Sequence, residues 1–318
     1  MDLGREPMDA KVRIGVSGAS AMARQGRDTF FRYLEVLEGQ GWDSLWFSDR
    51  IVGPGWSLDP LVGMAMVAAR TEKLKFGTGV LLMSMRNAVA TARALAAIDN
   101  LSNGRLVVGV GVGQEAALEY DAMGVLKRDR GQRLDEAIRV MRMLWTQEKV
   151  SYEGKSLKLT DTGITPKPAQ ASVPIWIGGR TEAAFRRTGR LGDGWLPTQV
   201  TPEDVARGIA RIKEYAVEAG REVSDDHYGL QIGCYLVERG PVPMDHVRQY
   251  LLTRRQDVAP EQLHLVGTPD QVMARMREYI DAGATKFVLG PACGPEEVWR
   301  QLEVQSEMLV KPVHTAAV

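Results

Sequence analysis

The chain has 318 residues and a formal net charge of +0, with charges of both signs interspersed, so it lacks the basic stripe that tracks nucleic acid. At 44% hydrophobic residues it can bury a large core, in a length that suits one α/β barrel or two smaller domains. Two cysteines, Cys234 and Cys293, are too few for a disulfide framework, Met1 to Lys11 lacks a signal-peptide core, and no apolar run approaches the roughly 20 residues of a membrane span, which together predict a soluble cytoplasmic protein.

Val12 to Val16 is a short apolar run ending at Ser17-Gly18, and Thr29 to Leu37 then carries apolar residues at helical spacing. Leu45 to Ser48 is a second run, closed by Asp49-Arg50 and a loop containing Gly53-Pro54-Gly55-Trp56. Asp59 is placed to cap a helix that has Pro60 at its first position and runs to about Arg70. Leu74 to Val80 is a third strand, followed by a helix from Ala88 to Leu101. Leu106 to Gly113 is a fourth strand running into glycines, after which Leu134, Ile138, Met141 and Trp145 mark one helix face. Tyr152 to Lys155 reads as a hairpin turn inside an excursion from Val150 to Pro168.

Pro174 to Ile177 is extended, Gly178-Gly179 break it, and Thr181 is placed to cap a helix from Ala183 to Leu191. A brief strand at Asp193 to Pro197, a helix from Pro202 to Ala219 and a strand from Tyr228 to Val237 continue the alternation. Between Gly240 and Pro260 the pattern weakens to a helical stretch around His246 to Thr253 and the pair Arg254-Arg255. Val272, Met276, Tyr279 and Ile280 then give an amphipathic helix, Lys286 to Leu289 an eighth strand, and Glu296 to Leu309 a closing helix.

Such alternation without a linker predicts an α/β fold of the (β/α)8 TIM-barrel type in a single domain, 1–318, with an open doubly wound sheet as the competing arrangement. In a barrel, function collects at strand C-terminal ends, here Ser17-Gly18, Asp49-Arg50, Gly79-Val80, Gly111-Val112-Gly113, Gly178-Gly179-Arg180 and Trp195. Recurrent glycine at these exits lets a flat group approach the backbone, whereas a catalytic metal would call for histidines and carboxylates. His227, His246, His264 and His314 form no metal-binding pair, so no metal is expected, and no Gly-x-Ser-x-Gly elbow is present. Backbone amides at the Gly178-Gly179-Arg180-Thr181 turn, together with the positive end of the following helix, make a phosphate site, although glycine at a strand-to-helix turn also serves plain chain geometry.

Gly111 to Ala116 satisfies a loose Gly-x-Gly-x-x-Ala fingerprint, but the acidic residue it requires about twenty positions later would fall in a helix, which argues against a dinucleotide fold. Asp49, Arg50 and Glu115 are the candidate catalytic charges. Each also has a plainer reading, as a turn cap, a solvated cation or, with Glu119, the outer face of a short helix. Trp46, Trp176 and Trp195 read as packing residues, and Trp56, in its Gly/Pro loop, as a lid candidate.

Seven segments follow one another in a telling order: Gly41 to Asp49, Leu74 to Val80, Ala97 to Arg105, Gly109 to Gly113, Ile175 to Thr181, Asp193-Gly194-Trp195 and Val266 to Pro269. In that order and spacing the chain resembles the bacterial luciferase-like family of flavin-type monooxygenases and deazaflavin-dependent oxidoreductases, from about Val12 to Leu289. The resemblance implies an eight-stranded barrel with a flavin or deazaflavin ring in its mouth, lined by Ser17, Gly79, Val80, Gly111 and Gly113. It further implies a phosphate at Gly178, Gly179, Arg180 and Thr181, and a non-proline cis peptide at Gly79-Val80.

Two departures stand out. Deazaflavin-using members commonly carry Asp-His after the second strand where this chain has Asp49-Arg50, and a proline is usual where Arg86-Asn87-Ala88 has alanine. The compact length and the Trp46 to Asp59 stretch resemble the coenzyme F420-dependent branch, which implies hydride exchange with a small organic substrate while Asp49, Arg50 or Glu115 steadies charge or moves a proton. The alternatives are a reduced-FMN monooxygenase using oxygen and a non-catalytic flavin-binding barrel. A homodimer is the oligomeric state the resemblance implies, with a flavin or F420 reductase supplying reduced cofactor.

Overall fold

The computed structural model describes residues 11–53, 55–113, 117–251 and 253–316. The chain opens with β1 (Arg13–Val16), α1 (Ala19–Arg24), α2 (Arg27–Gly39), β2 (Ser44–Phe47), α3 (Pro60–Arg70), β3 (Lys75–Thr78), α4 (Ala88–Leu101) and β4 (Leu106–Val110). After α5 (Ala117–Ala122) and α6 (Arg130–Thr146), β5 (Val150–Glu153) and β6 (Lys158–Thr162) form a separate antiparallel hairpin. The alternation resumes with β7 (Ile175–Ile177), α7 (Glu182–Leu191), β8 (Gly194–Trp195), α8 (Pro202–Glu218) and β9 (Gly229–Leu236). It closes with α9 (Met244–Val247), β10 (His264–Gly267), α10 (Pro269–Asp281), β11 (Lys286–Pro291), α11 (Val298–Gln305) and α12 (Lys311–Ala316).

Local chemistry sets the helix starts. The Asp59 carboxylate accepts from the Leu61 amide at 2.8 Å ahead of Pro60, and Asn87 Oδ1 accepts from Val89 and Ala90 at 3.0 Å to open α4. Thr201 with Asp204, and Thr268 with Gln271, make reciprocal capping boxes at α8 and α10. Thr181 departs from its expected role: it occupies the cap position of α7, but its hydroxyl accepts no capping bond, and its extended backbone leaves the first amides of the helix uncovered by a side chain.

Nine parallel strands form one sheet in the order β10-β9-β11-β1-β2-β3-β4-β7-β8. The sheet curls. Isolated bridges join Trp195 to Tyr228 and Thr198 to Gln231, and the Gln231 side chain of β9 lies against Gly79 just beyond β3. Trp46, Trp176, Leu196 and Val288 make a small buried cluster of their own, with the two indole rings 5.9 Å apart, while the larger core lies between strands and helices. Trp46, Trp176 and Trp195 are thus packing residues.

β10 is the strand that the sequence pattern does not reveal, being four residues long, opened by a histidine and preceded by a single helical turn. The expected helix around His246 to Thr253 breaks into α9 and a tight turn at Arg248–Tyr250. β3 ends at Thr78 rather than Val80 because the chain turns away at Gly79, and β4 ends at Val110 before its glycines. Among the described residues no helix is long and apolar enough to cross a membrane, and no group of three or more His, Cys, Asp or Glu residues is placed to hold a metal ion.

Candidate functional site

The exits of β3, β4 and β7 meet around one side chain. The Gly79 amide donates to the Phe47 carbonyl at 2.7 Å, the Gly79-Val80 peptide is cis, and the Leu81 amide then donates to Gly109 O at 2.7 Å. This course sets Val80 across the neighbouring strand ends. A Cβ on Gly111 would stand 2.6 Å from Val80 Cγ2, and one on Gly178 would stand 2.7 Å from Val80 Cγ1. Both distances are shorter than atoms tolerate, so these glycines make room for Val80. Gly79 itself faces Gln231, whose Oε1 lies 2.6 Å from where a Cβ would be. Gly113 has φ +84 and adjoins the Met85 methyl and the Tyr120 hydroxyl, which donates to Val112 O at 2.7 Å. Ser17 lies at the end of β1, its amide bonded to Leu289 O at 2.9 Å and its hydroxyl beside Gly290.

Asp49 is enclosed. Its side chain is 0% exposed, and its two oxygens accept a fork from Arg86, at 2.9 Å from Nε and 2.8 Å from Nη2. Oδ2 also accepts from the Leu82 amide at 3.0 Å, two residues beyond Val80. Arg86 reaches on to Asp59 at 2.8 Å; burial opposes its charge, but the two carboxylates outweigh it and hold the guanidinium above its ordinary value. Burial likewise pushes Asp59 up, and Arg86 with the Leu61 and Val62 amides brings it below the usual carboxylate range. A carboxylate so occupied is built to hold Arg86 and the backbone after the cis peptide.

Arg50, by contrast, is exposed at the rim, its Cδ 3.3 Å from the position a Cβ on Gly53 would take. Glu115 lies outside the described residues. Glu119 turns back to accept from the Ile51 amide at 3.0 Å, tying α5 to the loop after Asp49 and Arg50. Trp56 is 48% exposed.

At the β7 exit the Gly178 amide donates to Val110 O at 2.9 Å, and Gly179 follows with φ +104, a conformation that favours glycine. Trp195 Nε1 donates to Gly179 O at 2.8 Å and fixes the turn from β8. Among the described residues, the amides of Gly179, Arg180, Thr181, Glu182 and Ala183 have no protein acceptor. Glu182 does not fill the space in front of them, because its carboxylate is drawn aside to Arg211 and the Tyr215 hydroxyl. Uncovered amides and the positive end of the ten-residue α7 suit a phosphate.

The sequence pattern misses Arg86 and Gln231. Arg86 stands in the segment read only for its loop shape, and its partner is 37 residues away, so no local signal pairs them. Gln231 sits at an ordinary alternating position of β9, and only the curl of the sheet brings it to Gly79.

A family model described as luciferase-like monooxygenase matches residues 12–253. An F420-dependent glucose-6-phosphate dehydrogenase of Kineococcus radiotolerans is 29% identical over 283 residues, which cover 79% of this chain and 83% of that protein. An F420-dependent secondary alcohol dehydrogenase, solved with an F420-acetone adduct, has the same fold at a TM-score of 0.81 and 22% identity, covering 96% of this chain and 99% of that one. The oxygenating constituent of 3,6-diketocamphane monooxygenase of Pseudomonas putida, solved with FMN, also has this fold, at a TM-score of 0.77 and 17% identity over 95% and 98% of the two chains.

Proposed function

The chain belongs to the luciferase-like monooxygenase family, and from that premise we propose an oxidoreductase that binds coenzyme F420 at the strand exits and exchanges a hydride with a small organic substrate. In this reading the curled sheet is an eight-stranded ring closed between β8 and β9, with β10 appended to β9. The Trp195-Tyr228 and Thr198-Gln231 bridges and the approach of Gln231 to Gly79 support that closure.

The observation that carries the reading is the pairing of Val80, seated between Gly111 and Gly178, with the uncovered amides of the adjoining Gly178 to Thr181 turn. Gly79, Val80, Gly111, Gly113 and Ser17 would border the ring, and Gly178, Gly179, Arg180 and Thr181 would hold the phosphate. When bound, the deazaflavin supplies a carbon that gives or takes a hydride. Asp49 acts as a positioning residue, through Arg86 and the Leu82 amide, and keeps the bulge in register. Arg50 offers an exposed positive charge to an anionic substrate group, and Glu115 a carboxylate for proton movement. The protein would work as a cytoplasmic homodimer alongside a reductase that supplies reduced cofactor.

Titration of the purified protein with F420 and with FMN, following ring fluorescence, tests the reading. Saturable F420 binding, with hydride exchange above the free-cofactor rate, is expected. Micromolar FMN binding with none of F420 would overturn it in favour of a reduced-FMN monooxygenase, and cofactor binding without turnover in favour of a non-catalytic barrel.

A further inference from the structure

A cavity of about 560 Å3 adjoins the Gly178 to Thr181 turn, sharing Arg180 and Thr181 with it, and extends from there to the start of α8 and the Arg254 to Asp257 loop. Four arginines line it, Arg180, Arg207, Arg254 and Arg255, against two aspartates, Asp204 and Asp257, which leaves a surplus of two positive charges. The charges are not neutralised evenly. Arg255, its side chain 13% exposed, is held by Asp257, with Nε 3.0 Å from Oδ1, and by Asp204; it pins its loop to the start of α8. Arg207 shares Asp204 at 2.7 Å.

Arg180 forms no ion pair: its hydrogen bond goes to the neutral Gln199 carbonyl, 3.3 Å from its Nη1, and Asp257, already claimed by Arg255, feels it only at longer range. The Arg254 guanidinium is exposed and has no partner among the described residues. Its backbone amide, however, is fixed by Gln199 Oε1 at 3.0 Å. One residue in the left-handed region, Gln199 at φ +57, therefore tethers two cations that lie outside the ion pairs, Arg180 by its side chain and Arg254 by its backbone. Cations gathered and left unpaired beside an anion-binding turn raise the local affinity for negative charge.

We infer that this cavity binds a second anionic group, a carboxylate or phosphate, outboard of the phosphate held at the Gly178 to Thr181 turn, through Arg180, Arg207 and Arg254. The inference rests on the proposed cofactor reading. That second group has two possible bearers. One is the cofactor, since F420 continues beyond its phosphate into a lactyl and glutamyl chain of carboxylates whereas FMN ends there. The other is a phosphorylated or carboxylated substrate.

The test compares the wild type with the Arg207→Ala/Arg254→Ala variant, which leaves the Arg255 ion pairs in place and should keep the wild-type melting temperature. Fluorescence titration uses three deazaflavins: the riboflavin-like core without phosphate, F420 without glutamates, and F420 with several glutamates. Wild type should bind the glutamylated form about tenfold more tightly than the form without glutamates, with a steep salt dependence. The variant should lose that difference, binding the form without glutamates as before, and Arg207→Lys/Arg254→Lys should restore most of it. If the deazaflavin affinities do not move but KM for glucose 6-phosphate rises about tenfold at constant kcat, the anion belongs to the substrate and the site stands. An unchanged glutamate preference together with an unchanged KM overturns the proposal. Should no deazaflavin bind at all, the cofactor reading has failed; thermal stabilisation by inorganic pyrophosphate then decides for the cavity alone. Stabilisation lost in the variant supports the site, and equal stabilisation in both proteins overturns it.

Discussion

Asp49→Asn is the perturbation that most sharply separates a chemical from a positioning role. The substitution keeps the shape of the side chain but removes its charge and turns an NH2 group toward the Arg86 fork, whose two bonds measure 2.9 and 2.8 Å. Removing one partner of a buried pair costs about 3–5 kcal/mol, because the other charge is left uncompensated. Here Asp59, 44% exposed and 2.8 Å from Arg86, keeps part of the compensation, so a loss of about 2–3 kcal/mol is expected. In a chain of this size that lowers the melting midpoint by roughly 3–5 °C, measurable by calorimetry. The Asp49→Asn/Arg86→Leu double variant should melt above the sum of the two single losses, with a coupling of about 1–3 kcal/mol. Cofactor affinity should fall with stability, since the Leu82 amide loses its anchor two residues past Val80. An Asp49→Asn protein that melts like wild type while turnover drops a hundredfold would refute this reasoning and make Asp49 a chemical participant.

The remaining predictions concern the rim and the buried charges. Gly111→Ala places a methyl 2.6 Å from Val80 Cγ2 and should cost about 1–3 kcal/mol by overpacking; Val80→Ala in the same chain should recover most of the stability in urea titrations. Gly179→Val adds a β-branched side chain at φ +104, should cost about 1–2 kcal/mol of backbone strain, and should abolish cofactor binding; unchanged affinity would place the phosphate elsewhere. Asp43 pairs with buried Lys286: burial pushes the carboxyl up, but Lys286 with Lys75 and Ser44 outweighs it and brings Asp43 down to about 2. Because that folded value lies below the ordinary 3.8, its contribution of roughly 2 kcal/mol is complete above pH 4 and is lost as pH falls through 2. Asp43→Asn should therefore lower the urea midpoint at pH 7 and flatten its dependence between pH 4 and 2.

What the sequence reveals of this molecule follows the range of the forces involved. Caps such as Asp59-Pro60 and Thr201-Pro202 act within a few residues, so the helices could be placed from local pattern alone. The Gly178-Gly179 break was legible for the same reason, although Thr181 proved to stand at the cap position without capping. β10 escaped because four residues that follow a tight turn carry too little periodicity, and it takes its place only by pairing with β9. The partners of Asp49 and Gly79 were illegible in principle: Arg86 reaches Asp49 through the pairing of β2 with β3 and Gln231 reaches Gly79 through the curl of the sheet, and neither residue type announces a distant contact. Glycine at the strand exits reads in the sequence as room for a flat group, whereas at Gly111 and Gly178 the group that takes the room is the Val80 side chain.

That last contact bears on how these strand exits can be redesigned. Val80, Gly111 and Gly178 behave as one unit with a single free variable, because any side chain at either glycine collides with the isopropyl group while the valine can shrink without touching either strand end. Libraries that vary the glycines singly will lose stability at every member, because even a methyl overpacks against Val80. Libraries that vary position 80 through alanine, cysteine and threonine would instead change the packing between these strand exits in small steps, leaving the Gly178 to Thr181 turn unaltered.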